Sequence, residues 1–407
     1  MGELRDALLP VLPDDAAEAA LAGRIWRPDV AGPSVVAVRG GDVFDITQTF
    51  PTVRDLCETP DPAAALNRAV GERIGSVDDI VANTPVGQRD RDVPWLLAPI
   101  DLQAIKAAGV TFVLSMIERV IEERARGDIN AAAAIRAEVN RLVGDDLASL
   151  RPGSPEAAHL KQVLIEQGAW SQYLEVGIGS DAEIFTKAQP MAAVGTGMDA
   201  GIHPNSSWNN PEPEVVLVAS SSGRIVGATL GNDVNLRDVE GRSALLLGKA
   251  KDNNASCAIG PFIRLFDRAF TIDTIRHADL ALSVEGADGF VLDGSSSLAE
   301  ISRDPLDLVR EAIGADHQYP DGLMLFLGTM FAPIQDRHAP GKGFTHDVGD
   351  VVSIATPSLG TLVNRVNYAD AIAPWTFGAA ALMRNLAERG VLGAPRADGT
   401  TRPSAVP

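Results

Sequence analysis

The chain has 407 residues, of which 45% are hydrophobic and 22% are charged. This balance excludes a disordered chain. Charges interrupt the apolar stretches, which excludes a membrane span. We therefore expect a globular protein with a large buried core. The 54 acidic and 35 basic residues give a formal net charge of −19, which repels phosphate backbones and anionic membranes; we expect neither as a partner.

The two cysteines, Cys57 and Cys257, lie far apart in the sequence and form no Cys-x-x-Cys or Cys/His cluster. Their spacing predicts neither a disulfide framework nor a structural zinc site and favours a reducing cytoplasm. The N-terminal residues include acids and prolines where a secretion signal has a basic start and a continuous apolar core. We therefore expect a cytoplasmic protein.

The first predicted element is a β-hairpin over residues 35–47, whose two apolar runs meet at a Gly-Gly pair. Such a pair adopts positive φ at little cost. Residues 63–75 and 101–126 follow helical spacing, and the second stretch predicts a long helix after Gly109. Residues 131–167, rich in Ala, Leu, Arg and Glu and broken by an Arg-Pro-Gly-Ser-Pro segment, predict a helical hairpin.

After Trp170 the sequence changes to short Val/Ile/Leu runs separated by Gly, Asn and Ser, which predict strands of a mainly antiparallel sheet system. Between them, Asp304 and Pro305 predict the cap and first residue of a helix. Residues 374–390 predict a final helix that ends at Gly390. The predicted strands are 215–220, 224–230, 281–286, 290–294, 323–331, 351–357 and 361–366.

Two glutamates, Glu212 and Glu214, flank Pro213 at the start of a predicted strand. Strand alternation sends both side chains to one face, where they can share one cation. Asp233 follows the next strand and can return beside them. Three carboxylates provide oxygen-only ligation, which selects Mg²⁺ above all, with Mn²⁺ or Ca²⁺ as alternatives. Solvated surface charge is the other interpretation of the glutamate pair taken alone.

The order of several short motifs resembles the fumarylacetoacetate hydrolase family over most of residues 100–370. The motifs are Glu-x-Glu at 212–214, Asn-Asp-x-x-x-Arg-Asp at 232–238, Gly248-Lys249, Ile259-Gly260-Pro261, Gly328-Thr329, Gly349-Asp350 and Leu359 to Asn364. The resemblance implies an α+β fold with a β-rich catalytic domain of the mixed β-sandwich or roll type. It also implies a homodimer.

With this resemblance, three regions are expected. Residues 1–95 form a small N-terminal α+β domain, and residues 96–380 form the catalytic domain with a helical segment over about 110–170. Residues 381–407 contain the end of a terminal helix and a polar tail.

The resemblance also assigns site residues. The ligands of the metal are Glu212, Glu214 and Asp233, and Lys249 is the nearby cation in preference to Lys251, which could be solvated. Thr329 holds a substrate carboxylate. Lys187 and Arg237 are further substrate-binding candidates. Their structural alternatives are a strand cap for Lys187 and an internal salt bridge with Asp238 for Arg237.

The sequence departs from the hydrolytic family pattern Gly-x-Asn-Tyr-x-x-His-x-x-Glu, because Ser115 stands where the histidine would be. A serine hydroxyl is not basic near neutral pH, so the water activation needed for C–C hydrolysis is in doubt. Glu118 remains, and Glu122 lies one helical turn further on. We expect Ser115 to bind substrate and these two glutamates to serve as acid and base, one kept protonated by its neighbour; a salt-bridged solvent face is the alternative.

A carboxylate-bound metal can chelate a 2-oxo acid and acidify its C3 proton. Dehydration is then favoured over C–C cleavage by the missing histidine. The resemblance is strongest to long members that dehydrate 2-keto-3-deoxy sugar acids, which implies conversion of 2-dehydro-3-deoxy-pentonate to 2,5-dioxopentanoate. The alternatives are an acylpyruvate hydrolase or decarboxylase of the same fold, and a non-catalytic metal-dependent sugar-acid-binding protein.

Overall fold

The computed structural model of the chain describes residues 8, 10–132, 135–136, 150–166, 168, 170–341 and 343–392. The predicted polar tail, residues 397–407, lies outside these residues. So does much of the predicted helical hairpin over 131–167, of which the helix Pro155–Glu166 is described.

Most strands come from the second half of the chain, as the sequence predicts. The strands are β1 (Leu21–Arg27), β2 (Gly32–Arg39), β3 (Asp42–Asp45), β4 (Glu72–Ser76), β5 (Trp95–Leu97), β6 (Ala104–Gly109), β7 (Glu183–Ala188), β8 (Asp199–Ile202), β9 (Asn209–Asn210), β10 (Pro213–Ala219), β11 (Ile225–Asp233), β12 (Asn235–Leu236), β13 (Cys257–Leu265), β14 (Asp279–Glu285), β15 (Val291–Ser297), β16 (Leu323–Phe326), β17 (Val351–Thr356) and β18 (Gly360–Tyr368). Each of the seven predicted runs contains a strand, although the run 323–331 is a strand only as far as Phe326.

The described helices are mostly short. They are α1 (Val53–Cys57), α2 (Pro62–Arg68), α3 (Val77–Ala82), α4 (Val113–Ala125), α5 (Pro155–Glu166), α6 (Gln172–Ile178), α7 (Arg237–Glu240), α8 (Leu247–Lys251), α9 (Ile272–Arg276), α10 (Pro305–Ala312) and α11 (Ala379–Glu388). Short 3₁₀ turns occupy Pro28–Val30, Val86–Gln88, Ala244–Leu246 and Leu298–Glu300. Asp304 caps α10 by accepting a hydrogen bond from Leu306 N at 2.8 Å, as predicted.

Two sheets form the framework within the described residues. The larger runs β4-β3-β2-β1-β13-β11-β10-β16-β6-β7, with β5 on β1, and the smaller runs β15-β14-β17-β18-β8; β9 and β12 form a separate pair. Leu217 and Leu230 from the large sheet share one apolar core with Leu282 and Ile354 from the small sheet. The arrangement of mixed sheets with peripheral helices confirms the predicted α+β class.

The predicted N-terminal unit is continuous with the rest of the large sheet. Its hairpin is confirmed as β2–β3, and Gly40 and Gly41 have φ values of 57° and 82° at the turn. Strand β1 pairs antiparallel with β13, with Leu21 opposite Arg264. The domain boundary at residue 95 therefore stays a prediction, because one sheet crosses it.

Two predicted helices are shorter than expected because strands replace part of each. Residues 104–109 form β6, which pairs in parallel with β16 and antiparallel with β7. Four of these six residues are Ala or Gly, which are depleted in strands and therefore give little strand signal in the sequence. The helix after Gly109 is confirmed as α4. Similarly, α2 ends at Arg68 and β4 follows. The last helix begins at Ala379, five residues later than predicted.

No helix in the described part of the chain is long and apolar enough to cross a membrane.

Candidate active site and metal centre

Three buried carboxylates meet at the adjoining ends of β10 and β11. Glu212 and Glu214 flank the first residue of β10, and Glu214 lies opposite Gly231 of β11. Asp233 ends β11, and its backbone N–H donates to the Glu212 carbonyl at 3.1 Å. One carboxylate oxygen from each residue lies within 4.8 Å of the others. We call Glu212, Glu214 and Asp233 the carboxylate triad; its assembly matches the sequence prediction, and its role as a metal site stays a prediction.

Backbone groups fix the two glutamates. The Glu212 N–H donates to Asn232 Oδ1 at 3.1 Å, and the Gly328 N–H, just after β16, donates to Glu214 Oε2 at 2.6 Å. Gly328 has a φ of 88°, a conformation that favours glycine. The loop that carries Thr329 is therefore tied directly to the triad.

Two buried lysines neutralise much of the triad's charge. Lys251 Nζ lies 2.5 Å from Glu212 Oε2 and 3.1 Å from Asp233 Oδ2. Lys187 Nζ lies 2.7 Å from Asp233 Oδ1, and it also donates to the Lys251 carbonyl at 2.5 Å. Lys187 is thus part of the site, rather than a strand cap.

Burial and charge act differently on the triad. Burial, together with Asp233 and Glu212, raises the pKa of Glu214 well above its ordinary value. Burial also opposes ionisation of Asp233, but Lys187 and Lys251 outweigh it and hold the pKa of that carboxyl below its usual range. Three adjacent buried carboxylates are a donor set that fits a hard divalent cation, which would relieve their mutual repulsion.

The prediction that Lys249 is the cation next to the metal site is wrong, because the structure places Lys251 there instead. The Lys249 side chain is exposed, whereas Lys251 is 3% exposed and lies on the triad. The prediction relied on Gly248 allowing a close backbone approach, but a Cβ at that position would meet nothing within 4 Å.

Glu118 and Glu122 on α4 are held by arginines. Glu118 accepts bidentate hydrogen bonds from Arg136 at 2.8 and 2.7 Å and a third from Arg237 at 3.0 Å. Glu122 lies 2.6 Å from Arg237 Nε and 2.6 Å from Arg119 Nη1. The solvent-face alternative is therefore wrong for these two glutamates, which are buried.

The predicted protonation of one glutamate by its neighbour fails for Glu118. Burial favours the neutral form, but hydrogen bonds and charge from Arg136 and Arg237 outweigh it and lower the pKa of Glu118. The predicted pairing of Arg237 with Asp238 is also wrong, since Asp238 instead accepts from Ser206 Oγ at 2.8 Å.

Sequence reasoning missed Arg119. Its guanidinium contacts Glu212 of the triad, and it lies 3.0 Å from Glu240 Oε2. Arg119 lies three residues before Glu122, on the same helical face, so the spacing gave a usable signal. Through this side chain, α4 is connected to the triad by a continuous chain of ion pairs.

Two predicted substrate-binding residues take part in local hydrogen bonds. Ser115 Oγ donates to the Phe112 carbonyl at 2.9 Å in the first turn of α4. Thr329 is 5% exposed, and its Oγ1 accepts from the Phe331 N–H at 3.1 Å. Thr329 follows Gly328, so it lies beside the triad; its contact with substrate stays a prediction.

Residues 212–367 match the family model described as fumarylacetoacetate (FAA) hydrolase C-terminal. The 2-dehydro-3-deoxy-D-arabinonate dehydratase of Saccharolobus solfataricus is 33% identical over 187 residues, which are 45% of this chain and 58% of the relative. The probable 2-keto-3-deoxyxylonate dehydratase of Haloferax volcanii is 30% identical over 194 residues, which are 48% of this chain and 63% of the relative. Both alignments thus span less than two thirds of the relative.

One solved structure shows the same fold. It is 2-keto-3-deoxy-D-arabinonate dehydratase complexed with magnesium and 2,5-dioxopentanoate, with a TM-score of 0.57 and 20% sequence identity. The comparison covers 86% of this chain and 99% of that chain. The predicted fold type is therefore confirmed.

Proposed function

We propose that this chain is a metal-dependent hydro-lyase of the fumarylacetoacetate hydrolase family, and the match of residues 212–367 to that family's model supports the proposal. Its substrate class is a 2-keto-3-deoxy sugar acid, and the reaction converts 2-dehydro-3-deoxy-pentonate to 2,5-dioxopentanoate and water. The carboxylate triad, buried and flanked by Lys187 and Lys251, is the observation that carries the proposal. The names of both dehydratase relatives support it.

The triad would hold Mg²⁺, with Mn²⁺ or Ca²⁺ as alternatives. When bound, such a cation polarises the carbonyl of a chelated 2-oxo acid and makes the C3 proton acidic. The magnesium and 2,5-dioxopentanoate present in the solved neighbour support this combination of metal and product.

Lysine side chains supply positive charge where negative charge develops on the substrate. Lys251 stays protonated: burial opposes its charge, but Asp233 and Glu212 outweigh burial and raise its pKa. Its ammonium group can therefore stabilise the enolate oxygen at C2. Lys187 fixes both Asp233 and the carbonyl at the end of α8, so we assign it a positioning role.

The proposed dehydration is a β-elimination. The C3 proton leaves, and its electron pair forms the C2–C3 double bond of an enolate. The C2 carbonyl then re-forms, a C3–C4 double bond forms and the C4–O bond breaks; the departing hydroxyl takes a proton and leaves as water. A proton shift from C5 to C3 converts the resulting allylic alcohol into an enol with a C4–C5 double bond, and transfer of the enol hydroxyl proton to C4 gives the C5 aldehyde, so the net change is loss of one water.

Ser115 supports elimination over hydrolysis. Its hydroxyl donates to the Phe112 carbonyl, and a hydroxyl in that arrangement has no basic nitrogen with which to activate water. The position at which the hydrolytic pattern has a histidine therefore carries no base here.

A substrate assay tests the proposal. The protein is incubated with Mg²⁺ and 2-keto-3-deoxypentonate, and the C5 aldehyde is followed by NMR, with EDTA and acetylpyruvate as comparisons. Magnesium-dependent aldehyde formation without cleavage of acetylpyruvate is the expected result. Acetylpyruvate cleavage would instead identify a hydrolase, and magnesium-dependent binding of the sugar acid without turnover would identify a binding protein.

A further inference from the structure

Two asparagines extend the pair of strands that carries the carboxylate triad. Asn210 ends β9, Asn235 begins β12, and the two residues lie directly opposite each other. Four residues away along each strand, Glu214 lies opposite Gly231 in β10 and β11. Because the step is the same on both strands, no residue is inserted between the two pairs, and one continuous antiparallel register runs through the triad.

Strand alternation places the two asparagines on the face that carries the triad. Asn210 lies two residues before Glu212, and Asn235 lies two residues after Asp233; side chains two residues apart on a strand point to one face. Directly opposite residues have Cβ atoms about 4.5–5.5 Å apart, and two residues of strand span about 6.8 Å. We call Asn210 and Asn235 the asparagine pair; it lies one step along the strands from the triad.

A chain of ion pairs spans the asparagine pair. Arg237, two residues beyond Asn235, contacts Glu122 of α4. Glu122 also contacts Arg119 of the same helix, and Arg119 contacts Glu212 of the triad. The asparagine pair therefore lies on the side of the strands that α4 covers, between the triad and Arg237.

The side chains of the asparagine pair are buried and have unpartnered polar atoms. Asn235 is 0% exposed, and neither its Oδ1 nor its Nδ2 has a hydrogen-bond partner among the described residues. Asn210 is 3% exposed; its Nδ2 donates to the Pro211 carbonyl at 2.8 Å, but its Oδ1 has no partner in that part of the chain. Buried amide groups nearly always have partners, and an unpaired one destabilises the fold. The three free atoms therefore indicate a place for a polar ligand.

The free atoms fit an uncharged hydroxyl group. A hydroxyl both donates and accepts hydrogen bonds, which suits one amide nitrogen and two amide oxygens, whereas a carboxylate has no proton for the oxygens and an ammonium group has no acceptor for the nitrogen. The spacing from the triad also fits the proposed substrate. Four C–C bonds of about 1.5 Å give a five-carbon acid a length comparable with two residues of strand. An acid chelated through its C1 and C2 oxygens can therefore bring its other end to the asparagine pair.

We propose that the asparagine pair binds the C5 hydroxyl of the 2-keto-3-deoxypentonate and so selects hydroxylated 2-oxo acids over acids with an apolar chain. Asn235 Nδ2 donates to the hydroxyl oxygen, and Asn210 Oδ1 accepts a hydrogen bond from the hydroxyl. The C4 hydroxyl needs an acid when it leaves, and a neutral amide is not one, so the C5 hydroxyl is the group assigned here. An acid that ends in a methyl group leaves the amides unpaired and binds less tightly. The inference rests on the proposed function, from which it takes the substrate.

Calorimetric titration with acids that cannot be dehydrated tests this assignment. The probes are 5-hydroxy-2-oxopentanoate and 2-oxopentanoate, each with Mg²⁺; neither has a C4 hydroxyl to lose, so binding is measured without turnover. The quantity compared between proteins is the ratio of the two Kd values. Any cyclised fraction of the hydroxy acid is the same in every titration and cancels in that comparison.

Asn235→Leu removes the free amide atoms and keeps a side chain of similar size. The ratio of Kd values should shift about tenfold toward 2-oxopentanoate relative to the wild type, while Mg²⁺ affinity stays unchanged. Asn210→Ala removes the free oxygen on the opposite strand and should shift the ratio in the same direction. Asn205→Ala, a change at an exposed asparagine before β9, is the matched control and should keep the wild-type ratio.

Stability separates ligand binding from a structural role. Because the Asn235 side chain has no partner in the described part of the ligand-free protein, Asn235→Leu should resist urea at least as well as the wild type. If the asparagine pair instead holds a water that supports the fold, Asn235→Leu should be less stable and keep the wild-type ratio, which would overturn the assignment. Loss of Mg²⁺ binding in Asn235→Leu would also overturn it. A shifted ratio in a protein that does not dehydrate 2-keto-3-deoxypentonate would leave the assignment standing and contradict the proposed function.

Discussion

Lys251 Nζ contacts both Glu212 Oε2, at 2.5 Å, and Asp233 Oδ2, at 3.1 Å, and so links two members of the carboxylate triad. Lys251 is the last residue of α8, and its backbone carbonyl accepts a hydrogen bond from Lys187 Nζ. The triad and both lysines therefore form one buried charged unit. When all three carboxylates are ionised, the unit has three negative and two positive groups, and a divalent cation would compensate the remaining negative charge.

Replacing Lys251 should impair catalysis far more than replacing Lys249. Lys251→Ala removes the ammonium that stabilises the enolate in the proposed mechanism, so turnover should fall by about 10²- to 10³-fold. Lys249→Ala changes an exposed side chain on the same helix and serves as the control, with a stability change within about 0.5 kcal/mol. Steady-state kinetics of both variants measure the difference. If both variants lose turnover equally, or if neither does, Lys251 has no specific role in the reaction.

Glu214→Gln should weaken Mg²⁺ binding while the fold persists. The amide keeps the shape and can still accept the hydrogen bond from Gly328, but it removes one anionic oxygen ligand. Calorimetric titration with Mg²⁺ should show an affinity at least about tenfold lower. Unchanged affinity in a folded variant would mean that the cation binds elsewhere.

Glu118→Gln should act on stability rather than on the chemical step. The change leaves Arg237 without one of its carboxylate partners and should cost about 3 kcal/mol at pH 7. Because the pKa of Glu118 is lowered in the folded protein, its stabilising effect is complete above the unfolded pKa and is lost as pH falls through the folded one. The difference in free energy of unfolding between the variant and the wild type, measured with urea, should therefore be smaller at pH 3 to 4 than at pH 7. A difference that does not change with pH would show that the Glu118 ion pairs do not stabilise the fold.

Gly231→Ala should destabilise the strand that carries Asp233. A Cβ at this position would overlap the Phe326 ring and a Val216 methyl group, so repacking should cost about 1–3 kcal/mol. Gly248→Ala is the matched control because its Cβ would meet nothing within 4 Å and alanine favours a helix. Chemical unfolding of the two variants tests the close packing between β10, β11 and β16; equal stabilities would contradict it.

Both cysteines should resist thiol reagents in the folded protein. Cys57 and Cys257 are 2% and 1% exposed, and burial raises the pKa of each thiol well above its ordinary value. Only the thiolate reacts readily. Titration with a chromogenic disulfide should detect two thiols after unfolding and fewer than one before it. Rapid labelling of the native protein would show that Cys57 and Cys257 are not buried in the folded protein.

The strand-rich second half of the fold could be predicted because its elements are short, apolar and separated by turn residues. The first half could be predicted less well. Residues 104–109 were assigned to a helix because four of the six are Ala or Gly, which are depleted in strands. Their identity as β6 depends on pairing with β16, which is more than 200 residues away in sequence.

The triad could be predicted because local geometry brings its members together: Glu212 and Glu214 share a strand end, and a hairpin returns Asp233. Lys249 was chosen over Lys251, although side chains two residues apart on a helix point roughly 160° apart around its axis, so only one of the two can face the triad. Arg119 was missed as a site residue: its spacing from Glu122 was a signal, but its contact with Glu212 is a tertiary contact between residues 93 positions apart. The homodimer stays a prediction.

Anomalous scattering from a crystal grown with Mn²⁺ tests whether the carboxylate triad binds the metal. We expect one strong peak that lies about 2.0–2.6 Å from carboxylate oxygens of Glu212, Glu214 and Asp233 together. The same crystal soaked with 2-oxobutanoate should place the two α-oxo-acid oxygens on that ion. A peak at any other site, with the triad still paired to Lys187 and Lys251, would show that the triad is not the metal site.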